Sequence, residues 1–297
     1  MSSSPRLIAI TGATGFTGPF VVRALRARFP GAELRAVMRG TSDSGRIDVA
    51  GVTVAVADLR DEAALRLAFT GADTLVNVAS LGFDWVENIV RSAESTGIRR
   101  AIFIGTTAIL TGLPVASKPI RERGEQLVRQ SSLSWTILRP TMIYGAPGDR
   151  NIARLIGFVA RSPVIPIVSP RALQQPVHVE DVADAVAKAL DSAATIGKAY
   201  ELSGKDPLTL ADLIREVSSA LGLRRLIVPI PLSPVIGGLT LWSLFGRPPI
   251  RPEQARRIAE NKAFDHEQAV RDFAFSPRRF QDGIRQEVVL VLSQVGP

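Results

Sequence analysis

Residues 11–18 read Thr11-Gly12-Ala13-Thr14-Gly15-Phe16-Thr17-Gly18 and follow directly on the apolar run Leu7-Ile8-Ala9-Ile10. This order predicts a short buried strand, a glycine-rich turn and a helix that begins near Phe16. Gly12 and Gly15 lack a Cβ, so the main chain there can bend sharply and come close to a ligand. Such a turn presents backbone N–H groups and a helix N-terminus, which together favour a phosphate group. The glycine spacing, Gly-x-x-Gly-x-x-Gly, differs from the commoner fingerprint Gly-x-Gly-x-x-Gly.

Apolar runs alternate with helical patterns through the first half of the chain. The predicted strands are Leu7–Ile10, Leu34–Met38, Val52–Ala57, Thr74–Ala79, Ala101–Ile104 and Thr136–Leu138. The predicted helices between them are Phe16–Arg28, Asp61–Phe69, Trp85–Ser95 and Arg121–Gln130. Strands that are apolar almost throughout are typical of a parallel sheet with both faces covered. The sequence therefore predicts an α/β fold, a doubly wound parallel sheet of the Rossmann type that binds ligands at the carboxyl ends of its strands.

The pattern changes beyond about residue 160, where Pro163, Pro166, Pro170 and Pro176 break the chain into short pieces. Further elements are predicted downstream: helices near Asp181–Leu190, at Leu210–Leu221 with Thr209 as N-cap and over the tail Phe264–Val289, and a strand at Tyr200–Leu202. We expect residues 1–160 to form the Rossmann domain. Residues 161–297 are expected to form a smaller C-terminal, substrate-side domain that packs partly back on the sheet.

Composition excludes several classes of protein. The chain has 297 residues, of which 46% are apolar and 22% charged, close to the soluble globular average. The absence of cysteine excludes disulfides and thiolate nucleophiles, and two distant histidines predict no metal site. The net charge is +8, but the basic residues are scattered, so no nucleic-acid partner is expected. Without a membrane-length apolar run or a signal-peptide pattern, we expect a cytoplasmic protein, as a monomer or a homodimer.

Several motifs occur in a fixed order along nearly the whole chain. They are Thr11–Gly18, Ala57-Asp58-Leu59-Arg60-Asp61, Asn77-Val78-Ala79, Leu138-Arg139-Pro140-Thr141-Met142-Ile143-Tyr144-Gly145, Val177-His178-Val179-Glu180-Asp181-Val182-Ala183, and Phe264-Asp265-His266 with Phe275-Ser276-Pro277. In this order they resemble the extended and atypical short-chain dehydrogenase/reductase superfamily. Within it, the chain is most similar to the NmrA-like group and to the group that contains a complex I accessory subunit. The resemblance implies an NAD(P) cofactor and a small-molecule substrate.

Arg39 indicates which nicotinamide cofactor to expect. It ends the second predicted strand, about twenty residues after the glycine turn, where an NAD-selective site places Asp or Glu to bind the ribose 2′-hydroxyl. Here the strand end is Val37-Met38-Arg39-Gly40, with no acid. An acid would repel a 2′-phosphate, whereas arginine can bind one in bidentate fashion. NADP(H) is therefore favoured over NAD(H), although the other reading is that Arg39 is one of many exposed arginines.

The resemblance also implies which residues contact the cofactor. In this family the acid after the third strand holds the adenine, the end of the fourth strand passes the ribose, and the loop after the sixth passes the nicotinamide. An alternative for Asp58 is that it caps the next helix, a role we assign to Asp61. The full predicted set is Gly12, Thr14, Gly15, Phe16, Thr17, Gly18, Arg39, Asp58, Leu59, Asn77, Val78, Ala79, Thr106, Pro140 and Thr141.

The catalytic Tyr-x-x-x-Lys motif of the superfamily is missing. The two tyrosines, Tyr144 and Tyr200, are each followed four residues later by glycine. The resemblance aligns Ser117 with the usual tyrosine and Arg121 with the usual lysine, and places Thr107 at the catalytic hydroxyl position. A serine is a far weaker acid than a phenol, and arginine stays protonated. The candidate catalytic residues are therefore Thr107, Lys118 and Arg121. Lys118 lies beside the vacant tyrosine position; the alternative interpretation is that it is a solvated loop lysine.

Three functions are consistent with this pattern. The first is an NADPH-dependent reductase of a small or lipophilic acceptor that works without the tyrosine. The second is a non-catalytic NADP(H)-binding sensor or structural subunit. The third is a sugar-nucleotide epimerase or dehydratase. It is the least favoured because the usual tyrosine is absent and arginine, not lysine, stands at position 121.

Two further regions are candidates for contacts other than those with the cofactor. The resemblance places Tyr144 and His178 on the substrate side, although a lone histidine at a helix start is more often structural. Arg171 precedes the His178 motif and is a further candidate to line a substrate pocket. Residues 231–246 are apolar and too short to span a bilayer. They fit a lid over an apolar substrate, a subunit interface, a peripheral membrane contact beside Arg247 and Arg251, or simply core packing.

Overall fold

The computed structural model describes residues 5–47, 51–146, 148–149, 151–245 and 252–294. Its strands are β1 (Leu7–Thr11), β2 (Glu33–Met38), β3 (Val52–Val56), β4 (Thr74–Asn77), β5 (Arg100–Ile104), β6 (Ser134–Pro140), β7 (Ile143–Tyr144), β8 (Val164–Val168), β9 (Leu173–Gln174), β10 (Val177–His178), β11 (Lys198–Leu202), β12 (Leu208–Thr209) and β13 (Leu226–Ile230). Its helices are α1 (Gly18–Arg28), α2 (Glu62–Phe69), α3 (Val86–Ser95), α4 (Ser117–Gln130), α5 (Ile152–Arg161), α6 (Val179–Asp191), α7 (Leu210–Ala220), α8 (Leu232–Phe245), α9 (Pro252–Ala259), α10 (Glu267–Phe273) and α11 (Phe280–Gln294).

Two compact units divide the chain, and each contains several chain segments. Unit 1 comprises residues 1–143, 179–202 and 265–277, and unit 2 comprises residues 144–178, 203–264 and 278–297. The division of the sequence into domains 1–160 and 161–297 stays a prediction.

Unit 1 contains a seven-stranded sheet in the order β11-β6-β5-β4-β1-β2-β3. All its strand pairs are parallel. Helix α1 packs on α6, whereas α2, α3 and α4 pack in series. The strand order reverses between the central strands β1 and β4. The carboxyl ends of these two strands therefore form the topological switch point, where such folds bind ligands. The predicted Rossmann fold is confirmed.

The sheet is held by apolar side chains on both of its faces. Every residue of β1 is buried, as is every residue of β4. One cluster of buried residues joins the sheet to α2 and α3, through Leu65, Phe69, Ile89 and Phe103 among others. This burial explains why the central strands read as continuous apolar runs rather than alternating ones.

Several element boundaries differ from the sequence prediction, for local reasons. Helix α1 begins at Gly18 rather than near Phe16, because residues 15–17 still belong to the turn. Helix α4 begins at Ser117, one turn before the predicted Arg121. The tail predicted as one helical stretch forms two helices, because Ala274 ends α10 in the left-handed conformation (φ 54°) and Pro277 follows. Thr209 and Asp61 are confirmed as N-caps, accepting from the backbone N–H groups of Asp212 and Ala64.

Unit 2 consists of small sheets and helices. Strands β8 and β13 pair in parallel, β9 and β12 pair antiparallel, and β7 pairs with β10. Helices α5, α7 and α11 pack against one another. Within the described part of the chain, no helix is both long and apolar enough to cross a bilayer.

Candidate functional site

The glycine turn after β1 is held in a form that only glycine permits. Gly12 has a φ of +69°, and a Cβ there would lie 2.7 Å from the backbone nitrogen of Ala79. A Cβ on Gly18 would meet the carbonyl oxygen of Ala13. The turn closes with a hydrogen bond from Gly15 N–H to Gly12 C=O of 3.0 Å. The main chain therefore passes closely between the end of β4 and the start of α1, as a phosphate-binding turn requires.

Asn77 joins the ends of β1 and β4. Its side chain is fully buried; the Thr11 hydroxyl donates to its Oδ1 at 2.6 Å, and its Nδ2 donates to the Ala79 carbonyl at 2.8 Å. The backbone N–H of Val78 also donates to Thr11 C=O, at 3.0 Å. Both ends of the Asn77 amide are thus used inside the protein. The structure shows Asn77 as the residue that fixes the strand ends beside the turn.

Arg39 and Asp58 lie at the same edge of the sheet, beyond the ends of β2 and β3. In the parallel register, Val37 of β2 pairs with Thr11, the last residue of β1. Arg39 comes two residues after Val37, so it lies beyond the strand end, level with the start of the glycine turn. Arg39 is exposed, and no acid among the described residues forms an ion pair with it. Asp58 is also exposed; its Oδ1 accepts from the backbone N–H of Arg60 at 2.9 Å. Asn88 donates to the carbonyl of Leu59 and so fixes this loop.

A cavity of about 250 Å³ opens at the carboxyl ends of β4, β5 and β6. Its apolar wall includes Ile104, Ile109 and Ile143, and Arg121 and Glu125 contribute its charges. The structure brings six of the predicted residues into its lining, namely Thr17, Val78, Thr106, Arg121, Pro140 and Thr141. The cavity thus adjoins the glycine turn at the switch point of the sheet.

Two glycines give this cavity its shape. A Cβ on Gly124 of α4 would lie 2.3 Å from the carbonyl oxygen of Leu81, so the loop after β4 packs directly on this helix. A Cβ on Gly105 would come within 3.1 Å of Glu125 Oε1. Sequence analysis missed both glycines and the lining residues Ser80, Leu81 and Gly82. The small residues that follow Asn77 in the sequence were the available signal.

A buried ion network lies behind the cavity. Arg139 of β6 donates to both oxygens of Glu125, at 2.9 and 2.5 Å, and to Glu201 Oε1 of β11 at 2.9 Å. The side chains of Arg139 and Glu125 are only 13% and 5% exposed. The hydrogen bond to Glu125 is the main reason that the pKa of Arg139 is raised above its usual value. The network holds Glu125 in a paired position at the cavity wall, and it was not predicted from the sequence.

Of the two neighbouring threonines, the structure brings Thr106 to the cavity and not Thr107. Thr107 is 7% exposed, and its hydroxyl donates to the carbonyl of Pro140 at 3.3 Å. Thr106 has an extended backbone (φ −163°) and caps the short 3-10 turn at Thr107–Leu110. The hydroxyl predicted at the catalytic position is therefore turned into the protein.

Lys118 and Arg121 lie on the same side of α4, but only Arg121 lines the cavity. The ammonium of Lys118 donates to the carbonyl of Thr111 at 2.7 Å, and its side chain is 31% exposed. This lysine, a candidate catalytic residue from the sequence, is thus bound to the backbone and does not line the cavity. A catalytic role for it stays a prediction.

Neither tyrosine lines the cavity. Tyr200, on β11, is 1% exposed and its hydroxyl donates to Asp272 Oδ2 at 2.6 Å. Burial, and then this carboxylate, raise the pKa of Tyr200 above its usual range, so it is a poor proton donor. Tyr144 is buried in unit 2.

In unit 2, Tyr144 and His178 form part of a buried cluster. They are 1% and 2% exposed, and their rings meet edge to face with centroids 5.2 Å apart. Glu287 of α11 is 1% exposed as well. Burial above all, and then the Asp149 carboxylate, raise the pKa of Glu287 to about 9, whereas the Gly145 N–H opposes the shift. Arg171, the third residue predicted on the substrate side, is exposed; substrate contacts of all three stay predictions.

Two family models match the chain. One, described as NAD(P)H-binding, covers residues 12–193, and the other, described as the RmlD substrate binding domain, covers residues 120–291. The first spans the glycine turn and every residue that lines the cavity. Each covers more than half of the chain.

Characterised relatives and solved structures agree with this match. The chain is 28% identical to "Quinone oxidoreductase 2" of Escherichia coli over 73% of this chain and 75% of that protein. It is 32% identical to "Ceramide reductase" of Caulobacter vibrioides over 76% and 74% of the two chains. The crystal structure of an NADPH-dependent quinone oxidoreductase from Escherichia coli has the same fold, with a TM-score of 0.73, 22% identity, and coverage of 96% of this chain and 99% of that one.

The glycine turn, the switch-point cavity and the family matches lead to the same assignment. The chain belongs to the NAD(P)H-binding proteins of the extended and atypical short-chain dehydrogenase/reductase superfamily.

Proposed function

We propose that this chain is an NADP(H)-dependent reductase of a small or lipophilic acceptor that works without the Tyr-Lys pair. The observation that carries the cofactor choice is Arg39, exposed at the carboxyl edge of the sheet and unpaired with any acid among the described residues. A guanidinium in this position can bind a ribose 2′-phosphate through two hydrogen bonds. The NADPH dependence of the Escherichia coli structural neighbour supports the same choice.

The residues at this edge fit such a cofactor. The close approach of Gly12 to Ala79 leaves the turn's N–H groups and the start of α1 to hold the pyrophosphate. Asp58 and Leu59 would contact the adenine, and Val78 and Thr141 the ribose and nicotinamide side of the cavity. When bound, the cofactor supplies a hydride.

The acceptor would occupy the cavity, with its carbonyl oxygen directed at Arg121. A fixed cation stabilises the negative charge that develops on a carbonyl oxygen as it is reduced. The oxygen of a reduced quinone is a weak base whose proton can come from water, so such an acceptor needs no phenol beside it. The isoleucines in the wall suit an apolar ring. These features favour a quinone-like or other lipophilic carbonyl acceptor, in line with the quinone and ceramide reductases among the relatives.

Fluorescence titration of the purified chain with NADPH and NADH tests the cofactor assignment, and addition of quinone and aldehyde acceptors tests the reaction. We expect tighter binding of NADPH, and oxidation of NADPH that depends on the quinone. Binding of neither nucleotide would overturn the proposal. Equal affinity for both would remove the assigned role of Arg39.

A second candidate is a non-catalytic NADP(H) binder, such as a redox sensor or a structural subunit. It is favoured by the positions of Thr107 and Lys118, whose polar atoms are bonded to Pro140 and Thr111 rather than directed into the cavity. Ligand binding to the folded state would then act by stabilising the protein. Tight NADPH binding and a raised melting temperature, without oxidation by any acceptor, would support it.

A further inference from the structure

Unit 2 exposes an apolar face on the strand pair β8 and β13. Their parallel register pairs Val164 with Leu226 and Pro166 with Val228. Alternate residues of β8, Ile165 and Ile167, are buried, so the paired residues lie on the opposite, outer face. On that face Val164, Leu226 and Val228 are 46%, 62% and 38% exposed. Isolated exposed apolar side chains are ordinary, but a paired row of them marks a contact surface.

Helix α8 continues this surface, since only Pro231 separates it from β13. No residue of α8 is charged, and none of residues 231–242 is buried. Leu241 and Trp242 are 59% and 54% exposed. Residue 246, and Arg247 and Arg251 beyond it, lie outside the described residues. A helix that is apolar on every side needs an apolar medium around it, not one flat partner surface.

The segments that form this face carry basic residues and no acids. Residues 150–179 contain four arginines and residues 217–252 contain four more, with no Asp, Glu or Lys in either. Among them, Arg161 and Arg224 are exposed and stand three and two residues before Val164 and Leu226. Arg225, next to Arg224, ties this end of β13 to α5 by donating to Val159 C=O and Ala160 C=O at 2.8 and 2.7 Å. The two segments that form the apolar face thus carry positive charge alone, and α9, which packs on β8 and α8, adds two arginines against one glutamate.

Two kinds of partner could cover this apolar face, a second copy of the chain or a lipid surface. The positive charge beside the face decides between them. A symmetric contact with a second copy would bring the same arginines face to face without a single acid from these segments, which is unfavourable. An anionic lipid surface offers acyl chains to α8 and negative headgroups to the arginines. Helix α8 has 14 residues, a length of roughly 21 Å against the roughly 30 Å of a bilayer core, so it can enter the interface but not span it.

We propose that unit 2 binds the surface of anionic membranes, with α8 inserted at the level of the headgroups and the outer face of β8 and β13 beside it. Trp242 would lie at the boundary between acyl chains and headgroups, where tryptophan is favoured. This inference goes beyond the proposed reductase function and does not depend on it, because membrane binding is measured without turnover.

Vesicle sedimentation with the full chain tests it. We expect binding to phosphatidylcholine vesicles that contain about 30% phosphatidylglycerol to exceed binding to pure phosphatidylcholine by about tenfold or more at low salt. The double variant Leu241→Gln with Trp242→Gln should lower the partition coefficient on the anionic vesicles by about tenfold or more, since both side chains lose their transfer into lipid. The matched control is Leu67→Gln with Val270→Gln, two exposed apolar residues of unit 1, and it should bind as the wild type does.

Trp242 also reports the depth of insertion directly. The emission of Trp242 is obtained by subtracting the spectrum of Trp242→Phe from that of the wild type. Brominated lipids should quench this emission. Failure of the wild type to bind anionic vesicles would overturn the proposal, and so would equal binding by both double variants. Loss of a dimer in the Leu241/Trp242 variant, together with no vesicle binding by either protein, would instead identify the face as an interface between copies.

Discussion

Glu125 of α4 and Arg139 of β6 form a two-pronged ion pair directly behind the cavity, with Nε–Oε1 and Nη2–Oε2 distances of 2.9 and 2.5 Å. Glu125 is almost fully buried and also limits the space at Gly105. The pair therefore connects the wall of the candidate site to the stability of the sheet. Removing Glu125 leaves the buried Arg139 with Glu201 as its remaining carboxylate partner, and a buried charge that loses part of its pairing costs more than the pair itself contributes.

Glu125→Gln should lower the free energy of unfolding by about 2–4 kcal/mol, because Arg139 loses its main anionic partner in a site with little water. Urea denaturation at neutral pH measures the change. The control is Glu267→Gln, which removes an ion pair with Arg271 between side chains 76% and 65% exposed and should change stability by less than about 0.5 kcal/mol. Equal effects of the two substitutions would show that the buried ion pair contributes no more to stability than an exposed one.

Arg39→Ala should weaken NADPH binding by about tenfold to a hundredfold and NADH binding by less than about twofold, since only NADPH carries the 2′-phosphate. Titration of both nucleotides by fluorescence gives the two ratios. Arg99→Ala is the matched control. Arg99 is also exposed, but it directly precedes β5 and so lies at the amino ends of the strands, away from the cofactor site. Equal losses for both nucleotides in Arg39→Ala would contradict a contact with the 2′-phosphate.

Gly12→Ala should both destabilise the protein and abolish tight nucleotide binding. Two costs add at this position, the positive φ of +69° and a Cβ only 2.7 Å from Ala79 N. Gly97→Ala separates them, because Gly97 has a φ of +80° but nothing within 4 Å of its Cβ. We expect a loss of about 1 kcal/mol for Gly97→Ala and of about 2–4 kcal/mol for Gly12→Ala, from urea denaturation. Similar losses would mean that the turn can move away from β4.

Much of this architecture could be predicted from the sequence, because βα alternation and glycine punctuation are local signals. The order of apolar runs identified the sheet, and the turn at Gly12 identified its ligand-binding edge. The side chains that face the cavity depend on tertiary packing instead. Thr106 and Thr107 are equivalent as sequence, and only the extended backbone at Thr106 decides which of them lines the cavity.

The same limit applies to charges and to exposure. Glu125, Arg139 and Glu201 are far apart in the sequence, so their network could not be predicted without the pairing of β6 with β11. For residues 231–246 the sequence left core packing and three kinds of exposed contact open, and only the structure shows that residues 231–242 are not buried. In both cases the deciding information is which elements meet.

Glu287 should make the stability of the fold depend on pH in an unusual direction. Its pKa in the folded protein is about 9, against 4.5 for a free glutamate, so the folded chain holds one more proton than the unfolded chain between these values. Stability contributed by the protonated carboxyl is therefore fully present below about pH 4.5 and is lost as the pH rises toward 9. Glutamine keeps the shape of the neutral acid without needing the proton.

Glu287→Gln should accordingly stabilise the protein more at pH 8.5 than at pH 5.5, with a difference on the order of a few kcal/mol. Urea denaturation of wild type and variant at each pH gives this difference, in which the contributions of groups common to both proteins cancel to first order. Glu216→Gln, on α7, is the control in the same unit and should show no such trend. A stability difference between Glu287→Gln and the wild type that stays constant with pH would mean that Glu287 is ionised in the fold.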